Sequence, residues 1–319
     1  LLKKIRKNIF ISLSVAGILY LGFTIYANFD NVIFAFASFN WFLIPLLLIL
    51  SLTNYCVRFL KWHYYLNVVD VKIKTIDSFS IFMSGLIMSV TPGKMGELLK
   101  SYLVREVTKT PVSRTIPIVF AERITDFVSI TIIALVGAYV FNFGRAIVIG
   151  VGIFFLVILI FISNRSIAEP IIRLFEKSKF FRKHLESIHN AYESSYQMLR
   201  PMPLIYMTLL SLVSWSFECL GYHLILINFH IGVSFLWSAF SYGFAIIVGA
   251  ITMLPGGLGV TEGSLTFMLV RNNFPKNIAV ASTFIIRVVT LWFAVFVGIF
   301  SVTIYQNRFG KISVETVSN

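Results

Sequence analysis

Long apolar runs alternate with short polar joints along this chain, and the length of each run decides what it can be. Runs at 9–29, 41–62, 115–140, 146–163, 203–228 and 277–305 approach or exceed the roughly 20 residues an α-helix needs to cross a bilayer, and predict six full spans. Two stretches break this pattern. Residues 79–90 are apolar for only about 12 residues, which at roughly 1.5 Å per residue reach about 18 Å of a core about 30 Å thick. Pro92 and Gly93 then open the backbone, and 96–108 form a short return arm. We read 79–108 as a re-entrant helical hairpin entered from the cytoplasm. The second stretch, 235–271, is interrupted at Pro255-Gly256-Gly257. Its first arm, 235–254, is long enough to span alone, but its returning arm, 260–271, is not, so a second hairpin, entered from outside, is expected. Between the two, Leu185, Ile188, Tyr192 and Leu199 keep near-helical spacing against Arg182, Lys183, Glu186 and Glu193. That pattern predicts an amphipathic arm, 166–200, lying on the inner membrane face.

The two breaks match. Arg123 follows Pro92 by 31 residues and Arg287 follows Pro255 by 32, and both arginines sit in long apolar helices. The expected plan is therefore an all-α polytopic membrane protein, six full spans plus two re-entrant hairpins, in an inverted-topology repeat. Residues 1–144 form one repeat, 145–306 the other, and 307–319 a cytoplasmic tail. Such repeats place a binding site near the bilayer midplane.

Composition supports the membrane class and limits the chemistry. With 57% hydrophobic and 13% charged residues, a soluble catalytic domain has no room, because the longest polar stretch is only about 163–202. The net charge of +13 reads as orientation rather than nucleic-acid binding. The basic residues flanking the spans fall on one side under the positive-inside rule, with Arg145, Arg271 and Lys276 opposite, which places both termini in the cytoplasm. Cys56 and Cys219 lie in apolar runs and read as buried free thiols. The five histidines have no metal-binding spacing, and neither a metal nor a cofactor is expected. Arg58, Lys61, Trp62, Tyr64 and Tyr65 read as head-group-layer residues at the end of the second span.

Charges at bilayer depth must face protein or water. Glu97, Glu122, Arg123, Asp126, Glu218, Glu262 and Arg287 are therefore expected to face inward, with Arg123 and Asp126 three apart on one helix face. Arg123 and Arg287 are candidates to hold a phosphate, since a planar guanidinium binds its oxygens bidentately and keeps its charge when desolvated. Glu97, Glu122, Asp126 and Glu262 are candidate gating or proton-carrying groups; a purely structural neutralisation of the arginines is the alternative. At the hairpin tips, Gly93, Gly96, Gly256, Gly257 and Gly259 permit a tight backbone whose amides could point at an anion. Lys94 could reach a head group from the first tip.

The motifs Thr91-Pro92-Gly93-Lys94-Met95-Gly96-Glu97, Glu122-Arg123-Ile124-Thr125-Asp126 and Pro255-Gly256-Gly257-Leu258-Gly259 with Glu262, followed by Arg287, resemble the lysylphosphatidylglycerol synthase transmembrane region family. That family includes the flippase part of the multiple peptide resistance factor. The resemblance implies movement of lipid head groups between leaflets of the cytoplasmic membrane, the lipid being an anionic phospholipid or a polyprenyl phosphate. An envelope-lipid biosynthetic enzyme would be a possible partner. Many relatives carry a basic residue just before the acid of the second hairpin; here it is Thr261. Two other functions fit the residues: a carrier of a small soluble anion, and a non-catalytic membrane partner of an envelope glycosyltransferase. An enzyme is not expected, because no nucleophile, metal set or cofactor motif accompanies the acids.

Overall fold

The computed structural model describes residues 2–91, 97–176 and 185–310. Among these the chain is all helical: α1 Leu2–Tyr26, α2 Phe29–Ser38, α3 Ile44–Val68, α4 Thr75–Gly85, α5 Leu99–Thr108, α6 Val112–Val140, α7 Arg145–Ser163, α8 Arg165–Glu176, α9 Leu185–Met198, α10 Pro201–Asn228, α11 Phe235–Ile251 and α12 Val260–Arg271. A last helix, α13, runs Lys276–Phe309. Four segments are long and apolar enough to cross a membrane: Trp41–Val68, α7, α10 and α13. The bent pair α1 and α2 makes a fifth. The sixth expected span corresponds to α6, which is 29 residues long and carries Arg114, Glu122, Arg123 and Asp126. Apolar side chains cover the outside as well as the core. Only 6% of the apolar window of α7 is buried, as expected of a helix facing lipid tails.

Several features recur at one spacing. Asn54 Nδ2 donates to Ser214 O and Oγ, each at 2.8 Å, across 160 residues. Trp41–Val68 and Pro201–Asn228, both 28 residues long, start at the same spacing. Both end in the same way: Asp70 and His230 take φ of 55° and 56°, and the amides of Val71 and Ile231 donate back to Leu66 O and Leu226 O, each at 2.9 Å. His63 Nδ1 then lies 3.2 Å from Ser78 Oγ, and His223 Nδ1 lies 2.9 Å from Ser238 Oγ.

The packing is crossed. The first short arm, Thr75–Met88, packs on α13, and α11 packs on α6. A glycine on each long helix makes the approach possible. A Cβ on Gly298 would lie 2.1 Å from Ile87 N, and one on Gly137 would lie 2.2 Å from Phe240 Cβ. Helices α4 and α5 meet where Lys100 lays its stem on Gly85.

Some expectations gain detail and others change. Residues 29–38, the joint between the first two expected spans, form a helix bent 99° from α1 and capped at its start by Asn28 Oδ1, which accepts from the Asn31 amide at 3.5 Å. Part of the arm expected to lie on the inner membrane face also packs against a long helix: α9 lies on α6, burying Ser194 and Met198 with Leu199 just beyond. Residues 177–184 of that arm and 311–319 of the tail lie outside the described residues. Cys219 is buried, but Cys56 is exposed, on the outer side of α3. Finally, Lys61, Trp62 and Tyr65 are at most 1% exposed, so they belong to the core between helices and not to the head-group layer.

Candidate functional site

α3 runs past α6 with Arg58 and Lys61 on its inner face, and α5, with Glu97 just before it, brings Lys100 to the same place. The result is a dense ion network. Lys61 Nζ donates to Asp126 Oδ1 at 2.6 Å, Ser211 Oγ at 2.6 Å and Thr125 Oγ1 at 3.0 Å. Lys100 Nζ donates to Glu122 Oε2 at 2.6 Å, stands 3.7 Å from Glu97 and lies 4.5 Å over the Trp62 ring. Arg123 Nη2 is 3.1 Å from Asp126 Oδ2 and 3.3 Å from Glu97 Oε2, and Arg58 Nη2 is 3.6 Å from Asp126 Oδ2. Among the described residues, Arg123 Nε makes no hydrogen bond despite its burial, while Nη2 is held by its two carboxylates as an ion pair. A guanidinium in this state keeps donor capacity that buried groups ordinarily use up.

The second half holds a simpler arrangement. Arg287 Nε donates to Glu262 Oε1 at 2.6 Å, and Arg287 Nη2 donates to Gly256 O. Glu262 Oε2 also accepts from the Gly259 amide at 2.7 Å, while Tyr20 donates to Oε1 at 3.4 Å. Glu262, expected as a gate, is thus a three-way tie between the second tip, α13 and α1. Directly after Arg287, residues Val288–Trp292 form a π-helical turn, and such turns disturb the regular carbonyl partners of a helix. Two hydroxyls of α3 bond this stretch: Ser51 Oγ donates to Val289 O at 2.6 Å and Tyr55 to Thr290 O at 2.8 Å. The π turn therefore ties Arg287's helix to the wall that carries Arg58.

The two arrangements face one cavity of about 180 Å³. Its charged lining is Arg58, Arg123 and Arg287 with Asp126 and Glu218. Leu86, Phe127, Ile130, Trp215 and Ile246 supply much of the apolar wall. α1 closes over the tips, with Ser12 Oγ donating to Val90 O at 3.2 Å and Ala16 packing with Val90, Leu258, Leu291 and Val295.

Of the expected site residues, the structure brings Arg123, Asp126, Arg287, Gly256 and Gly257 to the cavity. Glu97, Glu122 and Glu262 are buried, at 3%, 1% and 0% exposure, and outside its lining. Gly93, Lys94 and Gly96 lie outside the described residues. The tip amides are a correction. The Gly257 amide donates to Leu254 O at 2.9 Å and the Gly259 amide to Glu262, so neither points at a ligand. The glycines serve the turn instead, with φ of +60° at Gly256 and +67° at Gly257, where Thr261 Oγ1 would lie 2.5 Å from an added Cβ. Small Thr261 packs into this space. Arg58 and Lys61 were missed because a cation near a helix end reads as a surface residue until the helix that covers it is known.

The model of the family described as the lysylphosphatidylglycerol synthase TM region matches residues 9–298. A UPF0104 membrane protein of Methanocaldococcus jannaschii is 26% identical over 223 residues, which is 66% of this chain and 91% of that relative. Another, from Methanothermobacter thermautotrophicus, is 24% identical over 317 residues and 92% of each chain. A third, from Archaeoglobus fulgidus, is 24% identical over 85% of this chain and 90% of its own length. On the extent of the match, from the first helix through most of the last, this chain belongs to the lysylphosphatidylglycerol synthase transmembrane region family.

Proposed function

We propose that this chain is a non-enzymatic lipid transporter that passes an anionic phospholipid or polyprenyl-phosphate head group across the cytoplasmic membrane. The lipid tails stay in the bilayer. The observation that carries this reading is the meeting of Arg123 and Arg287, one from each half, with Arg58 at a single cavity, where Arg123 Nε keeps an unspent donor. Three guanidiniums suit a phosphate, and the apolar remainder of the wall suits the first carbons of its tails.

The reading extends to topology. Six crossings, re-entrant hairpins at Thr75–Thr108 and Phe235–Arg271, and two halves of opposite orientation join the features spaced 160 residues apart into one plan. Two crossings, α6 and α7, lie between the equivalent helices α3 and α10 in that plan, so these run in opposite directions and one half is inverted relative to the other. Both termini then lie in the cytoplasm.

The test is movement of fluorescent phospholipids and polyprenyl-phosphate sugars in liposomes carrying the purified protein, compared with an Arg123→Ala, Arg287→Ala variant. Wild type is expected to move at least one of them and the variant none. Equal transport by the two proteins would overturn the assignment. Inhibition by glycerol phosphate in the bath without any lipid movement would favour a soluble-anion carrier instead.

A further inference from the structure

Arg58 and Glu218 occupy equivalent places on α3 and α10, at the spacing that separates Asn54 from Ser214, and both line the cavity. The plan of the fold thus sets a cation on one wall and a carboxylate on the other. The two carboxylates of the lining are held very differently. Asp126 is locked by Lys61 at 2.6 Å, Ser211 at 2.9 Å and Arg123 at 3.1 Å. Glu218 has a neutral partner, the Tyr242 hydroxyl, which donates to Oε2 at 2.6 Å. Among the described residues it forms no salt bridge. The titratable and charged groups facing it across the cavity are Tyr55 and Arg58 from α3, Arg123 and Asp126 from α6, Tyr242 from α11 and Arg287 from α13.

A phosphate drawn in by the three arginines arrives beside this carboxylate. Two anions in a space walled by apolar side chains repel strongly, because little solvent screens them. Asp126 cannot relieve the repulsion, since its negative charge holds Lys61 and Arg123 in place. Glu218 can, by taking a proton, and its hydrogen bond to Tyr242 survives in either state because the hydroxyl can donate or accept. We propose that Glu218 binds one proton as the anionic head group enters, so that head group and proton travel together and a pH gradient drives transport. This rests on the head-group reading above and decides between a coupled carrier and a scramblase.

The experiment uses the full chain in detergent and dihexanoyl phosphatidylglycerol as probe, a phosphodiester that does not itself titrate between about pH 5 and 8. Calorimetry in two buffers of different ionisation heat counts the protons taken up per bound probe. Wild type is expected to take up close to one, with affinity rising about tenfold per unit fall in pH while Glu218 is ionised. Glu218→Gln, which keeps an acceptor for Tyr242, is expected to bind with no proton uptake and a flat pH profile. In liposomes under an imposed pH gradient with the membrane potential clamped, wild type should accumulate labelled lipid in one leaflet while the variant equilibrates it. Binding by wild type without proton uptake, or an unchanged proton count in Glu218→Gln, would overturn the proposal and leave the head-group reading standing. Failure of wild type to bind the probe at any pH would overturn both.

Discussion

Lys61 Nζ stands 2.6 Å from Asp126 Oδ1, with the two side chains 1% and 5% exposed. A residue in the second half of α3 and a residue in the middle of α6 thus form one of the two shortest, deeply buried ion pairs of the larger network, the other being Lys100–Glu122. A buried charge that loses its partner costs more than the pair contributes, typically about 3–5 kcal/mol. Lys61→Met is therefore expected to lower stability by about that much in chemical denaturation of the detergent-solubilised protein. Adding Asp126→Asn should recover a substantial part, because the orphaned charge is then gone. No recovery in the double variant would mean that the lysine acts through packing alone.

Arg58 was not among the expected ligands, yet its place on the cavity wall makes it one. Arg58→Ala should slow head-group movement at least tenfold, a loss of about 1.4 kcal/mol or more, with insertion unaffected. Arg58→Lys should restore part of the rate, since charge is kept while the fork is lost. Full activity in Arg58→Ala liposomes would remove it from the site.

Two glycines predict opposite outcomes for the same substitution. At Gly298 an added Cβ meets Ile87 N at 2.1 Å, whereas at Gly150 on α7 nothing lies within 4 Å. Gly298→Ala should destabilise by about 1–3 kcal/mol through forced separation of α4 and α13. Gly150→Ala should be neutral or stabilise by up to about 1 kcal/mol. Thermal unfolding of the two variants side by side checks the crossed packing directly.

α1 covers the hairpin tips through Ser12 and Val90. In a Cys56→Ser background, Ser12→Cys with Val90→Cys should form a disulfide under mild oxidant. If the head group enters beneath α1, transport should stop on oxidation and return on reduction. Undiminished transport by the fully cross-linked protein would place the entrance elsewhere.

Much of the chain could be read before its helices were placed, because run length, proline breaks and helical spacing are local properties. The long helices fall close to their expected positions, the short arms around Pro92 and Pro255 are separate helices, and Arg123 and Arg287 face inward. What escaped depends on contacts between segments far apart. Lys61 looks like a head-group-layer cation until Asp126 is seen beside it. Glu218 differs from Asp126 through partners on other helices, and sequence neighbours carry no trace of that. The tips misled for a different reason. A glycine-rich turn exposes amides in principle, but Leu254 O and Glu262 claim them here. Asn28 caps a further helix in the joint after the first span.

The crossed packing has a consequence for how the protein is made. The seat of the arm Thr75–Met88 is Lys276–Phe309, which is synthesised long after it. Until that helix is made, the arm lacks its final neighbour, and in the proposed hairpin it lies at membrane depth. Exposed polar backbone is costly in lipid, so the nascent chain must be sheltered by the insertion machinery until α13 arrives. A chain truncated before α13 should therefore be cleared by membrane quality control and should not persist as a folded half.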